Sequence, residues 1–248
     1  MSPPPFIFLA TPCHGGQVAI HYLRSTLGLQ GACRARGVGL HVELLDNDPL
    51  VVRARSRLAA RFLAHPHATH LLFCDADIGF GPENAFRLLD SGKDVAAAVC
   101  PVKHIDWEKV RAAAQGGAAD LMAAGLGYVV GFLPTRDNSV EIEDGLAKVA
   151  YGGTGFLMIR REALERVVEA HPELMTHIGD VEPATPTVPM VFETMVEPET
   201  GRYLSEDYAF CRRWRDLGGE IWADVEARLT HVGLAAYEGQ LKARLRPA

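Results

Sequence analysis

The stretch His70-Leu-Leu-Phe-Cys-Asp-Ala-Asp-Ile-Gly-Phe80 decides the fold. Its apolar run, residues 71–74, has the length of a buried strand and ends in two aspartates one residue apart. Strand side chains alternate with period two, so Asp75 and Asp77 project to the same side of an extended chain. In an open α/β sheet, ligands bind outside the carboxyl ends of the strands, which is where this pair falls. Paired carboxylates of this kind suit Mg²⁺ or Mn²⁺, metals that also hold substrate phosphates. The competing reading is local: Asp75 caps the next helix and Asp77 sits in a turn.

Working outward, residues 6–10 read as a first strand. Thr11-Pro-Cys-His-Gly-Gly16 follows as a turn, and residues 18–29 have helical spacing. The turn lacks the G-x-G-x-x-G and P-loop patterns. His14 within it is either a ligand or a solvated turn residue. Residues 39–45 form a second strand ending in Asp46, which either accepts hydrogen bonds from a base or ribose or caps the next helix. That helix, 49–65, carries Arg53, Arg55 and Arg57. Arg53 and Arg57 share a face suited to a diphosphate, and Arg55 points elsewhere. After the D-x-D strand come a helix at 82–90 and a strand at 94–100. The β-α-β-α-β-α-β order predicts a parallel sheet with right-handed crossovers.

Lys103, His104, Asp106 and Trp107 mass just past that strand, a composition of a substrate-facing loop. Residues 110–124 read as helix, 125–133 and 140–150 as strands, and 156–159 as a strand after Gly152-Gly-Thr-Gly155. A helix at 160–170 precedes a polar stretch, 171–203, expected to form a lid over the site. Within it, Phe192 to Val196 and Arg202 to Leu204 are expected to pair as a hairpin. Ser205 caps a helix to about residue 217, residues 220–224 form a last strand, and 237–245 a surface helix.

The chain of 248 residues is 48% hydrophobic and 23% charged, the balance of a globular protein. A formal net charge of -6 argues against nucleic acid as a partner. The five cysteines, with no C-x-x-C pair, are expected as reduced thiols in a cytoplasmic protein. No apolar run reaches membrane-spanning length.

Several of these segments together resemble a glycosyltransferase of the GT-A fold, family 2-like, with the D-x-D motif of the nucleotide-diphospho-sugar transferases. They are residues 6–15, Asp46, Arg53-Ala-Arg-Ser-Arg57, Leu72-Phe-Cys-Asp-Ala-Asp-Ile78, Gly152-Gly-Thr-Gly-Phe156, Ser205-Glu-Asp-Tyr-Ala-Phe210 and Thr230-His-Val-Gly233. The resemblance covers nearly the whole chain, and its specificity lies in the order and spacing of the motifs. It implies an α/β, Rossmann-like, mostly parallel central sheet flanked by helices, with a small antiparallel portion in the C-terminal half. It implies one domain over 1–248. A nucleotide-binding half spans 1–104, an acceptor and metal half 105–233 with the mobile loop, and a terminal helix 234–248.

The same resemblance implies roles. Asp75 and Asp77, with Ala76 between them, hold Mn²⁺ or Mg²⁺ on the donor diphosphate, and His231 is a further ligand or a structural strand-end histidine. Thr11, Pro12, Cys13, His14, Asp46, Arg53, Arg57 and Lys103 match the nucleotide side, and Gly153 and Thr154 the donor-sugar side. Asp207 matches the base of inverting members, with Glu206 its alternate; a capping role explains both as well. The activity implied is transfer of a sugar from a UDP-sugar to a glycan, protein or small-molecule hydroxyl. The metal and arginines stabilise the leaving phosphate and a carboxylate accepts the acceptor's proton. Two other readings share the sheet: a non-catalytic nucleotide- or carbohydrate-binding module, and a sugar-phosphate nucleotidyltransferase. The basic residue expected in the first loop of the latter is missing from Thr11-Pro-Cys-His-Gly-Gly16.

Overall fold

The computed structural model describes residues 4–133, 139–140, 142–178 and 187–235. The elements run β1 (Phe6–Cys13), α1 (Ile20–Arg36), β2 (Gly39–Asp46), α2 (Val51–Ala64), β3 (His70–Cys74), β4 (Ile78–Gly79), α3 (Pro82–Asp90), β5 (Val95–Ala98) and β6 (Pro101–Ile105). Next come α4 (Trp107–Gln115), α5 (Leu121–Gly125), β7 (Leu126–Tyr128), β8 (Val130–Phe132), β9 (Ile142–Glu143), β10 (Leu146–Gly152), β11 (Phe156–Arg160) and α6 (Arg161–Ala170). The last are β12 (Met175–His177), β13 (Thr187–Pro189), β14 (Met195–Val196), β15 (Tyr203–Leu204), α7 (Glu206–Asp216), β16 (Ile221–Asp224) and β17 (Thr230–His231).

One nine-stranded sheet orders these as β2-β1-β3-β11-β5-β16-β10-β8, with β9 also on β10. β1 pairs in parallel with β2 and β3, and β16 with β5. β11 runs antiparallel to both β3 and β5, and β10 antiparallel to β16, β8 and β9. Only β11 and β10 therefore run against the common direction. This is a mostly parallel α/β sheet, with its antiparallel additions in the C-terminal half. The simple β-α-β succession is modified at one point: β3 and β5 are not neighbours, because β11 lies between them.

Period two sorts the strands between two helical layers. Phe8, Leu71, Phe73, Val95, Leu157 and Ile159 face α2, α6 and α7, packing with Leu58, Phe62, Leu164, Phe210 and Trp214. Ile7, Leu9, Leu72, Cys74, Phe156 and Met158 face α1 and α3, packing with Tyr22, Leu29, Cys33 and Leu88. All five cysteines are free and buried. Among the described residues no helix is long and apolar enough to cross a membrane.

Several stretches differ from the expectations. β1 runs on through the start of the expected turn to Cys13, paired with β2, and α1 continues past residue 29 to Arg36, where Gly37 at φ 69° ends it. The helix expected over 110–124 is two helices. Asp106 caps α4 by accepting from the Glu108 and Lys109 amides, so it is not a free polar group of a loop. Gly117, at φ 74°, ends that helix in a backbone region that side chains disfavour. Asp120 then caps α5. Residues 101–105 form β6, paired with β7. The lid expected over 171–203 is, in its described part, anchored in the core. Val191 and Phe192 are fully buried, and Phe192 stacks on Phe210 at 4.8 Å. Arg213 donates to the carbonyls of Val191 and Glu193. The hairpin within it forms, β14 pairing β15. The surface helix expected over 237–245 lies outside the described residues.

His70, at the start of β3, carries a pH consequence. Burial pushes its imidazole down from 6.5 to about 4, so the fold holds it neutral while the unfolded chain protonates it. Stability from this residue is present above pH 6.5 and lost as pH falls towards 4. Thermal unfolding of His70→Gln across that window should show a shallower fall in Tm than the wild type.

Candidate active site

The C-terminal ends of β1 and β3 and the starts of α1 and α2 enclose a cleft of about 920 Å³. Pro12, His14, Asp75, Ala76, Asp77, Lys103 and His231 line it, together with Asp48 and Arg55. After β3 the chain turns through the D-x-D, the Ile78 amide donating back to the Asp75 carbonyl. The Ala19 amide donates to the Ala76 carbonyl at 2.8 Å, which seats the start of α1 against that turn. β4 then pairs antiparallel with β17, His231 opposite Ile78, and the Val232 amide donates to the Asp77 carbonyl.

This short pairing brings His231 to the aspartates across most of the chain. Its Nδ1 lies 2.7 Å from the Pro101 carbonyl oxygen. A carbonyl only accepts, so Nδ1 carries a proton, and in the neutral ring that leaves the lone pair on Nε2. Nε2 stands 3.3 Å from Asp77 Oδ1. The other oxygen of Asp77 accepts from the Lys103 ammonium. Asp75 Oδ1 accepts from Arg55 Nη2 at 2.8 Å.

These residue types fit a divalent cation that shares its ligands with a bound phosphate. His231 gives its Nδ1 proton to a backbone carbonyl, as metal-ligating histidines do, and Asp77 stands beside it on an open cleft. Among the described residues no group of three or more His, Cys, Asp or Glu side chains is preassembled for a metal. The expected trio of Asp75, Asp77 and His231 is therefore not a closed cage. Asp77 and His231 are within reach of each other, while Asp75 is drawn to Arg55. One or two protein ligands with the rest from substrate phosphate is the usual arrangement for Mg²⁺.

The arginines of α2 are arranged differently from the expectation. Arg53 and Arg57 do share a face, but both reach Asp48, at 2.9 Å and 3.3 Å. Burial alone would raise the Asp48 carboxyl; hydrogen bonds from Arg53, the Leu50 amide and Arg57 hold it below the usual carboxylate range. Arg55 is the one that enters the site, 3% exposed. The sequence carried a signal for this. Arg55 stands on one helical stripe with Leu58, Ala59 and Phe62, all buried, and a charge on an inward stripe requires partners.

Other expected residues lie behind or beside the cleft. Thr11 is buried and its hydroxyl shares a 2.7 Å hydrogen bond with Tyr22. Cys13 is buried in the core. Asp46 is exposed and accepts from Asn47. Gly153 and Thr154 pack under the site, Thr154 Oγ1 donating to Glu206 Oε1 at 3.5 Å. Neither Glu206 nor Asp207 lines the cleft. Glu206 accepts from Arg55 Nε at 3.2 Å. Asp207 accepts from the Ser205 hydroxyl and the Tyr208 amide, and burial and then Glu206 push its carboxyl up.

No family model matches the chain, and no curated protein matches it. Among solved structures it is similar to protein A197 from STIV, at 16% identity over 92% of this chain and 85% of that one, TM-score 0.48. It is similar to the catalytic domain of Drosophila beta1,4galactosyltransferase 7 complexed with xylobiose, at 12% identity over 93% and 71%, TM-score 0.47. It is also similar to GalNAc-T7 with UDP, GalNAc and Mn2+, at 10% identity over 92% and 43%, TM-score 0.49.

Gly155 backs the D-x-D directly: its carbonyl accepts from the Asp75 amide at 3.0 Å. A Cβ there would lie 3.0 Å from Cys100 Sγ and 3.4 Å from Asp75 Oδ2. Glycine to alanine in an unstrained position stabilises a protein slightly. Here Gly155→Ala should instead cost about 1–3 kcal/mol through overpacking, read as a lower urea midpoint.

Proposed function

We propose that this protein is a metal-dependent glycosyltransferase that transfers a sugar from a nucleotide-diphosphate donor, a UDP-sugar in the first instance, to an acceptor hydroxyl. The observation that carries this reading is the Asp77–His231 pair, 3.3 Å apart on an open cleft at the carboxyl ends of parallel strands. Asp77 and the Nε2 of His231 would hold Mn²⁺ or Mg²⁺, with Asp75 beside them. The bound cation supplies neutralisation of the charge that builds on the leaving diphosphate.

The chain's own residues do the rest. Lys103, already on Asp77, contributes a second positive charge to the phosphate side of the cleft. The loop 12–14 and the start of α1 close the nucleotide side. Asp207 is the base in this proposal: its carboxyl is shifted up towards the range a general base needs, whereas Glu206 is committed to Arg55. Gly153 packs beside it, where an added Cβ would stand 3.6 Å from Asp207 Oδ2 and 2.8 Å from Val129 Cγ1.

Removing the metal ligand tests the reading. UDP at about a hundredfold over its Kd, with Mn²⁺, should raise the wild-type Tm by roughly 5 °C or more. Asp77→Ala, folded by circular dichroism, should show no UDP-dependent shift. A shift equal to that of the wild type removes the metal–diphosphate assignment.

That neither Glu206 nor Asp207 lines the cleft favours a second reading, a nucleotide-binding module without catalysis. A panel of UDP- and GDP-sugars incubated with Mn²⁺ separates the two. The transferase should hydrolyse at least one donor slowly, releasing nucleoside diphosphate, and Asp207→Asn should suppress that release. Binding with no release across the panel supports the module.

A further inference from the structure

We infer that Arg55 is the positioning residue of this cleft: it orients Asp75 and offers its remaining guanidinium N–H to an oxygen of the cleft's occupant. The inference deepens the donor-binding reading and rests on it only for the identity of that occupant.

The Arg55 side chain is 4% exposed, and its guanidinium is divided between two carboxylates from distant parts of the chain. Nη2 donates to Asp75 Oδ1 at 2.8 Å, and Nε donates to Glu206 Oε1 at 3.2 Å. Asp75 belongs to the D-x-D turn after β3; Glu206 is the first residue of α7. Thr154 holds Glu206 from the β10–β11 turn. Two segments thus meet directly at one planar cation and a third supports it through Glu206; the cation's centre lies 5.4 Å from the Phe73 ring centroid. A guanidinium fork sets direction as well as charge, which a lysine ammonium does not. Asp75 is held at its amide by Gly155 and at Oδ1 by Arg55, which fixes the carboxylate beside the cleft.

The third donor is the decisive observation. Arg55 Nη1 is buried and has no hydrogen-bond partner, and Arg55 lines the cleft. A buried guanidinium N–H left unpaired is costly. The chemistry that satisfies it is an oxygen acceptor entering the cleft, a phosphate or carbonyl oxygen. Glu206 is accordingly the counter-ion of this arginine, which is why it is not available as a base.

The test separates orientation from charge balance. Arg55→Met alone leaves two carboxylates without their cation, so the informative variant is Arg55→Met with Glu206→Met. Replacing a buried pair by apolar side chains of similar volume is commonly tolerated. Its crystal structure should show the Asp75 carboxylate turned from its wild-type position. Calorimetry with UDP and Mn²⁺ should show affinity reduced by about tenfold or more. Glu206→Gln, which keeps the Arg55–Asp75 contact, should bind close to wild type. If the double variant keeps both Asp75 in place and wild-type affinity, Arg55 only balances Glu206 and the inference is overturned. If the double variant does not fold, Arg55→Lys decides in its place: an equal loss of affinity supports the inference, and wild-type affinity overturns it. A wild-type protein that binds no UDP refutes the donor reading instead, and the orientation of Asp75 in the double variant still decides the role of Arg55.

Discussion

The rest of the structure depends on one strand that runs the wrong way. Phe156–Arg160 is hydrogen-bonded on one side to β3 and on the other to β5, and these two strands have no bond with each other. β2, β1 and β3 are therefore tied to β5, β16 and β10 only through it within the sheet. Its side chains alternate into both helical layers, Leu157 and Ile159 to one and Phe156 and Met158 to the other. The turn that precedes it also carries the carbonyl of Gly155, which accepts from the amide of Asp75. The same element that closes the sheet thus supports the acidic pair from behind. The chain on either side of residue 104 thus shares one sheet and is not two folding units.

The site is made by a second long-range closure. Two residues, Thr230 and His231, pair with two residues just past the D-x-D, and nothing longer is needed. That economy explains how the late histidine reaches Asp77. Its ring is then aimed by the Pro101 carbonyl at the end of another segment. The geometry is shared among the D-x-D turn, the strand after β5 and the last described segment. Each contributes one hydrogen bond or charge, and no one of them forms a site alone.

Much of this was legible in the sequence, and the reasons differ by residue. The run 71–74 with its aspartates was readable because a short apolar strand and a period-two pair are both local patterns. Helix stops are punctuated locally, and the two that differ from the expectation, at Gly37 and at Gly116-Gly117, carry that punctuation as well. The place of β11 was not readable: 71–74, 95–98 and 156–159 are equally apolar, and strand neighbours are chosen by tertiary packing. His231 was singled out by resemblance, since its sequence surroundings say nothing of a partner at Asp77. Shared face and charge single out Arg53 and Arg57 and leave Arg55 unmarked; its place on the stripe that also carries Leu58 and Phe62 is what marks it as the inward one.

The buried thiols have a consequence for how this protein can be watched. Burial pushes the pKa of all five thiols up and so holds them protonated, with Cys74 and Cys211 wholly enclosed. Only the thiolate is reactive, so alkylating reagents find almost no target in the closed molecule. Cys13 and Cys33 belong to the β1 and α1 layer, Cys74 and Cys100 stand behind the acidic turn, and Cys211 lies on the buried face of α7. Each layer therefore carries its own silent reporter, and the order in which thiols become reactive under denaturant would trace which part of the molecule opens first.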